Sequence, residues 1–210
     1  MSNEPAEQSR REKYAEQTRQ DVISSARSLF SSAGFTATTV DAIARAAGVS
    51  PATVYAQCGG KEGLLGSLID LWTAGDAVQQ IVEHCAEEHD PRAMLDVLAA
   101  GYRRIYEESG DIIRIVTDAA PSATTARDFL DVANERHLDA LRQIVGAIGT
   151  ELIDGLTVDD AARIVFFHFR YEQFVLAAEW FGWGEEAASR WITERIAASI
   201  LPPNTPEPRP

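Results

Sequence analysis

Cysteines, lysines and long apolar runs are what this chain of 210 residues has least of. Its two cysteines, Cys58 and Cys85, cannot build a disulfide framework, and both thiols are expected to stay reduced in an intracellular protein. No uninterrupted apolar stretch approaches the roughly 18 residues that a membrane-spanning helix requires, so no membrane partner is expected. Met1 to Pro5 has neither the basic start nor the apolar core of a secretion signal, and the expected location is the cytoplasm. Catalytic signatures are missing as well. There is no Gly-x-Ser-x-Gly elbow, phosphate loop, dinucleotide fingerprint or His-Glu-x-x-His. His84 and Glu88 stand four apart, as do His168 and Glu172, but each pair reads as a helix face rather than a metal centre. The expectation is no enzyme, no metal and no cofactor.

Basic charge is scarce overall: the net charge is −13. Its distribution is uneven. Residues 8–62 carry Arg10, Arg11, Lys13, Arg19, Arg27, Arg45 and Lys61 against five acids, a net of +2, whereas residues 63–210 carry −13. A locally basic head can meet a polyanion, and an acidic body discourages the wrong face from docking.

What is abundant is apolar spacing of three and four, the period of helices. Val22, Ala26, Leu29 and Phe30 form one stripe, closed by Gly34; Val40, Ile43, Ala44 and Ala47 form a second, closed by Gly48. Ser50-Pro51 opens a short third helix, with serine as N-cap and proline at the first helical position. Leu64 to Trp72 marks a fourth. Asp90-Pro91 starts another, and Ile112 to Thr117 reads as a separate short apolar segment before Pro121. Further helices follow over Phe129–Ile148, from Thr157 to Gly182, and over Glu185–Ile200. The fold class is all-α, with about nine helices. Residues 1–8 are expected as a disordered arm, and the proline-rich residues 202–210 as a disordered tail.

Residues 39–55 are the informative stretch. Ala44 is small where two helices nearly touch, and four residues later Gly48 supplies the positive φ of a tight turn. Ile43, Val49 and Val54 are apolar where the pair must pack. A helix-turn-helix requires these residue types at these offsets, and its second helix enters the DNA major groove. Phe35 to Tyr55, followed by Gly60-Lys-Glu-Gly-Leu-Leu65 and preceded by Ala26-x-x-Leu-Phe-x-x-x-Gly-Phe35, resembles the DNA-binding domain of TetR-family transcriptional regulators. The resemblance covers roughly residues 19–72; elsewhere it extends to length, helix count and a closing Gly182-Trp-Gly-Glu-Glu pattern.

That resemblance implies a DNA-binding domain over residues 9–66 and a ligand-binding and dimerisation domain over 67–201. Thr39 would meet a phosphate, and Ser50, Pro51, Ala52 and Thr53 would present the recognition helix to bases. Ala52 or the Thr53 methyl would touch a thymine methyl, and the Thr53 hydroxyl a base or phosphate. Tyr55 and Lys61 would hold the backbone, with Arg10, Arg11, Lys13 and Arg19 as further phosphate or minor-groove contacts. One position departs from the family pattern: Cys58 stands where an aromatic residue is usual.

In the body, Tyr102, Tyr106, Phe129, His137, His168 and Tyr171 combine apolar bodies with polar tips and are the candidate effector site. The segment 157–181 is apolar nearly all round and must be covered on every side. Phe174, Trp180, Phe181, Trp183, Trp191 and Ile192 are the candidate dimer interface. The function expected is a homodimeric repressor that binds a palindromic operator in double-stranded DNA and is released by a small-molecule effector. Two alternatives remain open at this point: a DNA-binding protein without an effector, and a helical binding or catalytic protein whose helix-turn-helix is vestigial.

Overall fold

The computed structural model describes residues 4–74 and 76–203, and side chains from residue 12 onward. Among the described residues there is no strand. The helices are α1 (Glu4–Ala33), α2 (Val40–Ala46), α3 (Pro51–Cys58), α4 (Gly60–Thr73), α5 (Ala77–Glu87), α6 (Pro91–Ala119), α7 (Thr124–Ala147), α8 (Val158–His168), α9 (Tyr171–Val175) and α10 (Glu185–Ile200). A π-helical turn, Leu176–Trp180, continues α9. Counting α8 and α9 as one interrupted segment, these are nine helices among the described residues.

The backbone is helical from Glu4, across most of the segment expected as a disordered arm. Pro5 is compatible with this, because proline fits the first turn of a helix. Residues 1–3 and 204–210 lie outside the described residues.

The chain divides into two compact units. The first comprises residues 1–74 together with 111–131. Its core is built on Val22, Ala26 and Phe30 of α1, Ile43 and Ala44 of α2, Val54 of α3 and Leu64, Leu65 and Leu68 of α4. Ile112, Ile115, Val116 and Ala119 of α6 are buried in the same core, as are Ala123 and Ala126. Residues 112–117 are thus not a separate short element. They are the C-terminal third of one 29-residue helix, and they belong to the N-terminal unit rather than to a body beginning at residue 67. Arg27 fastens this segment to α1 through both oxygens of Asp111, each at 2.6 Å.

The second unit comprises residues 75–110 and 132–210. Its core gathers Met94, Leu95 and Leu98 of α6, Leu141 and Val145 of α7, Ala161, Ala162 and Val165 of α8, and Ala188, Ile192, Ile196 and Ile200 of α10. The four-residue spacing in α10 places its apolar side chains on one face, where they are fully covered.

Between α8 and α9 the expected single helix is broken. Arg170 is extended, with φ −75° and ψ 139°, although no proline or glycine stands there. Packing supplies a partner for the Phe169 carbonyl at the break and anchors the Arg170 side chain. The Tyr106 hydroxyl donates to the Phe169 carbonyl at 2.5 Å, and Arg170 donates to Asn134 Oδ1 at 3.0 Å.

Candidate nucleic-acid interface

The helix-turn-helix is set by local chemistry. Thr39 caps α2: its hydroxyl accepts from the Ala42 N–H at 3.1 Å. Gly48 takes φ +68°, and the Val49 N–H closes the turn on the Ala44 carbonyl at 2.9 Å. Ser50 caps α3, accepting from the Thr53 N–H at 3.1 Å, and Pro51 occupies the first turn. Gly59 and Gly60, with φ +70° and +75°, turn the chain into α4. A side chain at Gly63 would sit 1.7 Å from the Cys58 carbonyl, so α3 and α4 approach as closely as glycine alone permits.

On α3, Val54 and Cys58 face the core, while Pro51, Ala52, Tyr55, Ala56 and Gln57 are exposed and Thr53 is half-buried. The Ser50 and Thr53 hydroxyls share a hydrogen bond of 2.8 Å, which engages the Thr53 oxygen in the cap. Tyr55 is 60% exposed, and its ring lies against Gly60, where a β-carbon would meet it at 2.7 Å. Ala56 and Gln57 were not singled out from the sequence; their exposure beside Ala52 and Tyr55 is the signal that finds them.

The cations divide. Lys13 is exposed on α1. Lys61 is half-buried: its ammonium lies 4.4 Å from the centre of the Phe35 ring and donates to the Thr36 carbonyl at 3.4 Å. Burial lowers its pKa. Arg19 is half-buried beside Cys58, with its Nε enclosed and without a hydrogen-bond partner among the described residues. The Cys58 thiol is held above its ordinary pKa by desolvation, an effect opposed by the Arg19 charge and hydrogen bond. Arg10 and Arg11 lie outside the residues whose side chains are described.

In the second unit, four of the six candidate effector residues come together. The Tyr102 ring stacks on Phe169 at 4.4 Å, and its hydroxyl is hydrogen-bonded to His137 Nε2. Desolvation, reinforced by the Arg170 charge, pushes the His137 pKa down to about 4. Burial raises that of Tyr102, so a neutral phenol shares the hydrogen bond with a neutral imidazole. The Tyr106 ring lies 5.2 Å from Tyr171 and 5.0 Å from Phe174. Tyr171 in turn fits against Gly110, whose missing side chain leaves it room.

Phe129 and His168 are not part of this cluster. Phe129 belongs to the first unit, edge-on to Trp72 at 5.3 Å, because the start of α7 packs there. His168 is bonded through Nδ1 to the Ile164 carbonyl of its own helix. An open groove of about 690 Å³ lies elsewhere in the second unit, beside Arg92, Asp96, Arg190 and Glu194.

The candidate interface residues also separate. Phe174 and Ile192 are buried, packed into the core of their own unit. Trp180, Phe181, Trp183 and Trp191 are exposed and touch in sequence, with ring centres 5.2, 5.3 and 5.4 Å apart.

The short helices α2 and α3, each capped and joined by a glycine turn, define a helix-turn-helix DNA-binding protein. Residues 22–68 match the family model for bacterial regulatory proteins of the tetR family, and this segment is a TetR-type DNA-binding domain. No curated protein sequence matches it. Among solved structures it is similar to NalD, the secondary repressor of the MexAB-OprM multidrug efflux pump in Pseudomonas aeruginosa. The two are 18% identical with a TM-score of 0.72, over 90% of this chain and 98% of that one. It is similar also to the SmeT–triclosan complex, at 18% identity and a TM-score of 0.68, over 92% and 99% of the chains. The fatty acid degradation regulator FadR from Bacillus halodurans matches at 18% identity and a TM-score of 0.66, over 85% and 94%. These likenesses extend the shared fold to the second unit.

Proposed function

We propose that the chain is a cytoplasmic, homodimeric repressor whose two α3 helices read successive major grooves of a palindromic operator about 34–36 Å apart. The observation that carries the reading is the capped, exposed α3 standing on a rigid glycine turn. Thr39 and the first turn of α3 contribute cap hydroxyls and N–H groups for phosphates, with Tyr55, Lys13 and Lys61 as backbone contacts. Arg19, half-buried beside Cys58, positions α3 from beneath rather than reaching for phosphate.

The second unit holds the effector at the Tyr102–His137–Tyr106–Tyr171 cluster. Its aromatic walls and neutral polar tips suit a small, largely apolar molecule that can share a hydrogen bond. Regulators of the same fold support this reading, one of them solved with triclosan and another named for fatty acid degradation. The cluster is filled by its own side chains, so binding requires them to part. α6 carries Tyr102 and Tyr106 in one unit and Asp111 to Ala119 in the other, a continuous path for coupling effector to DNA. Trp180, Phe181, Trp183 and Trp191 form the contact between subunits.

Selection of the purified full-length protein on a random duplex pool at fixed salt tests the reading. Enrichment of a palindrome is expected, with Thr53→Ala and Tyr55→Ala weakening binding to it while thermal melting stays that of a folded protein. Unchanged affinity in both variants would remove α3 as the recognition helix.

A further inference from the structure

Resting on the reading of α3 as the recognition helix, the geometry points to an operator half-site in which α3 reads A·T pairs: thymine methyls by Ala52 and Ala56, and an adenine by Gln57. We propose this from what the outward face of α3 carries and what it lacks. Pro51–Cys58 contains no charged residue. Guanine is read in the major groove chiefly by arginine or lysine, and cytosine by aspartate or glutamate; α3 offers neither kind of group.

At about 100° per residue, the direction opposite the midpoint of the buried Val54 and Cys58 falls on Ala56, with Ala52 one turn earlier on the same face. The part of the helix that enters deepest is therefore a pair of methyl groups. They can approach the groove floor closely and match the C5 methyl of thymine. Thr53 and Gln57 flank this pair on one side, Pro51 and Tyr55 on the other. The Thr53 oxygen is engaged with Ser50, which leaves its methyl for the same apolar contact.

Gln57 is exposed, and its amide makes no hydrogen bond to any described residue. A free carboxamide beside a methyl face is the side chain that pairs with adenine, accepting from N6 and donating to N7. Cations near the motif are placed for other work. Lys61 is held against Phe35, and Arg45 stands exposed in the last turn of α2, the helix that crosses the phosphate backbone.

The test again uses full-length protein and a random duplex pool at fixed salt, for the wild type and Gln57→Ala, followed by deoxyuridine replacement of single thymines in the enriched half-site. The expected result is a palindrome whose α3-facing pairs are A·T, with several-fold weaker binding when a contacted thymine loses its methyl. Gln57→Ala should lose between about fivefold and a hundredfold of the preference for A·T at one position. A palindrome with G·C at those positions overturns the inference and leaves the regulator standing. So does a variant with unchanged base preference, or a half-site indifferent to deoxyuridine. Failure to enrich any sequence overturns the regulator reading itself.

Discussion

Cys58 departs from the family pattern, and its surroundings show how a single residue is accommodated. The thiol is smaller than the usual aromatic ring, and the Arg19 guanidinium lies beside it beneath the recognition helix. His137 is the second residue whose surroundings dictate its chemistry. Burial holds its pKa at about 4, against an ordinary value near 6.5, so the folded protein refuses a proton that the unfolded chain accepts. Below about pH 6.5 the unfolded state therefore binds more protons. Stability is full above that value and falls as the pH drops towards 4, by up to roughly 3 kcal/mol. His137→Gln keeps a hydrogen-bonding partner for Tyr102 but cannot titrate. Urea midpoints at pH 7 and pH 4.5 are expected to converge for the variant relative to the wild type. Equal losses in both proteins would mean that His137 is not buried in its neutral form.

At the scale of elements, what could be read from sequence was what is decided locally. The cap Ser50 and the turn glycines Gly34 and Gly48 act within four residues, and each stands where expected. The errors arose where distant packing decides. Ile112 to Thr117 reads as a separate short apolar segment before Pro121, yet α6 runs straight through. Phe129 has the character of a pocket residue, but the start of α7 packs against Trp72. The break at Arg170 leaves no local trace, since neither proline nor glycine stands there and the Phe169 carbonyl is taken by a hydroxyl 63 residues earlier. Tyr106→Phe removes the partner of the Phe169 carbonyl with little change in volume. A loss of about 1–3 kcal/mol is expected, measured by chemical denaturation, because a buried acceptor is left unpaired. Ile112→Ala should cost about 2–5 kcal/mol and lower the melting of the N-terminal unit, although residue 112 lies far beyond the helix-turn-helix in sequence. If that unit melts unchanged, Asp111–Asp131 is not part of its core.

For the whole molecule, the division of charge and of apolar surface follows the division of labour. Residues 8–62 carry +2 and the remainder of the chain −15, a distribution that favours the helix-turn-helix segment over the rest as the partner of a polyanion. The exposed rings of Trp180, Phe181, Trp183 and Trp191 form one patch, and such a patch on a soluble protein marks an interaction surface. Trp180→Ala combined with Trp191→Ala should shift the protein towards monomer in sedimentation velocity and weaken operator binding in parallel. A variant that remains dimeric would place the subunit contact elsewhere. The exposed aromatic patch was only partly legible, because helical spacing cannot tell a side chain that faces its own core, as Phe174 and Ile192 do, from one left uncovered.

That patch also gives the molecule an optical signal of its own. Trp180, Trp183 and Trp191 are three of its four tryptophans; Trp72 is half-buried in the head. Indole emission moves to shorter wavelength when water is excluded. Diluting the protein through its association equilibrium should therefore redden the emission and open the rings to collisional quenching by acrylamide. The Trp72 contribution should stay constant, and the assembly state can be followed without attaching a dye.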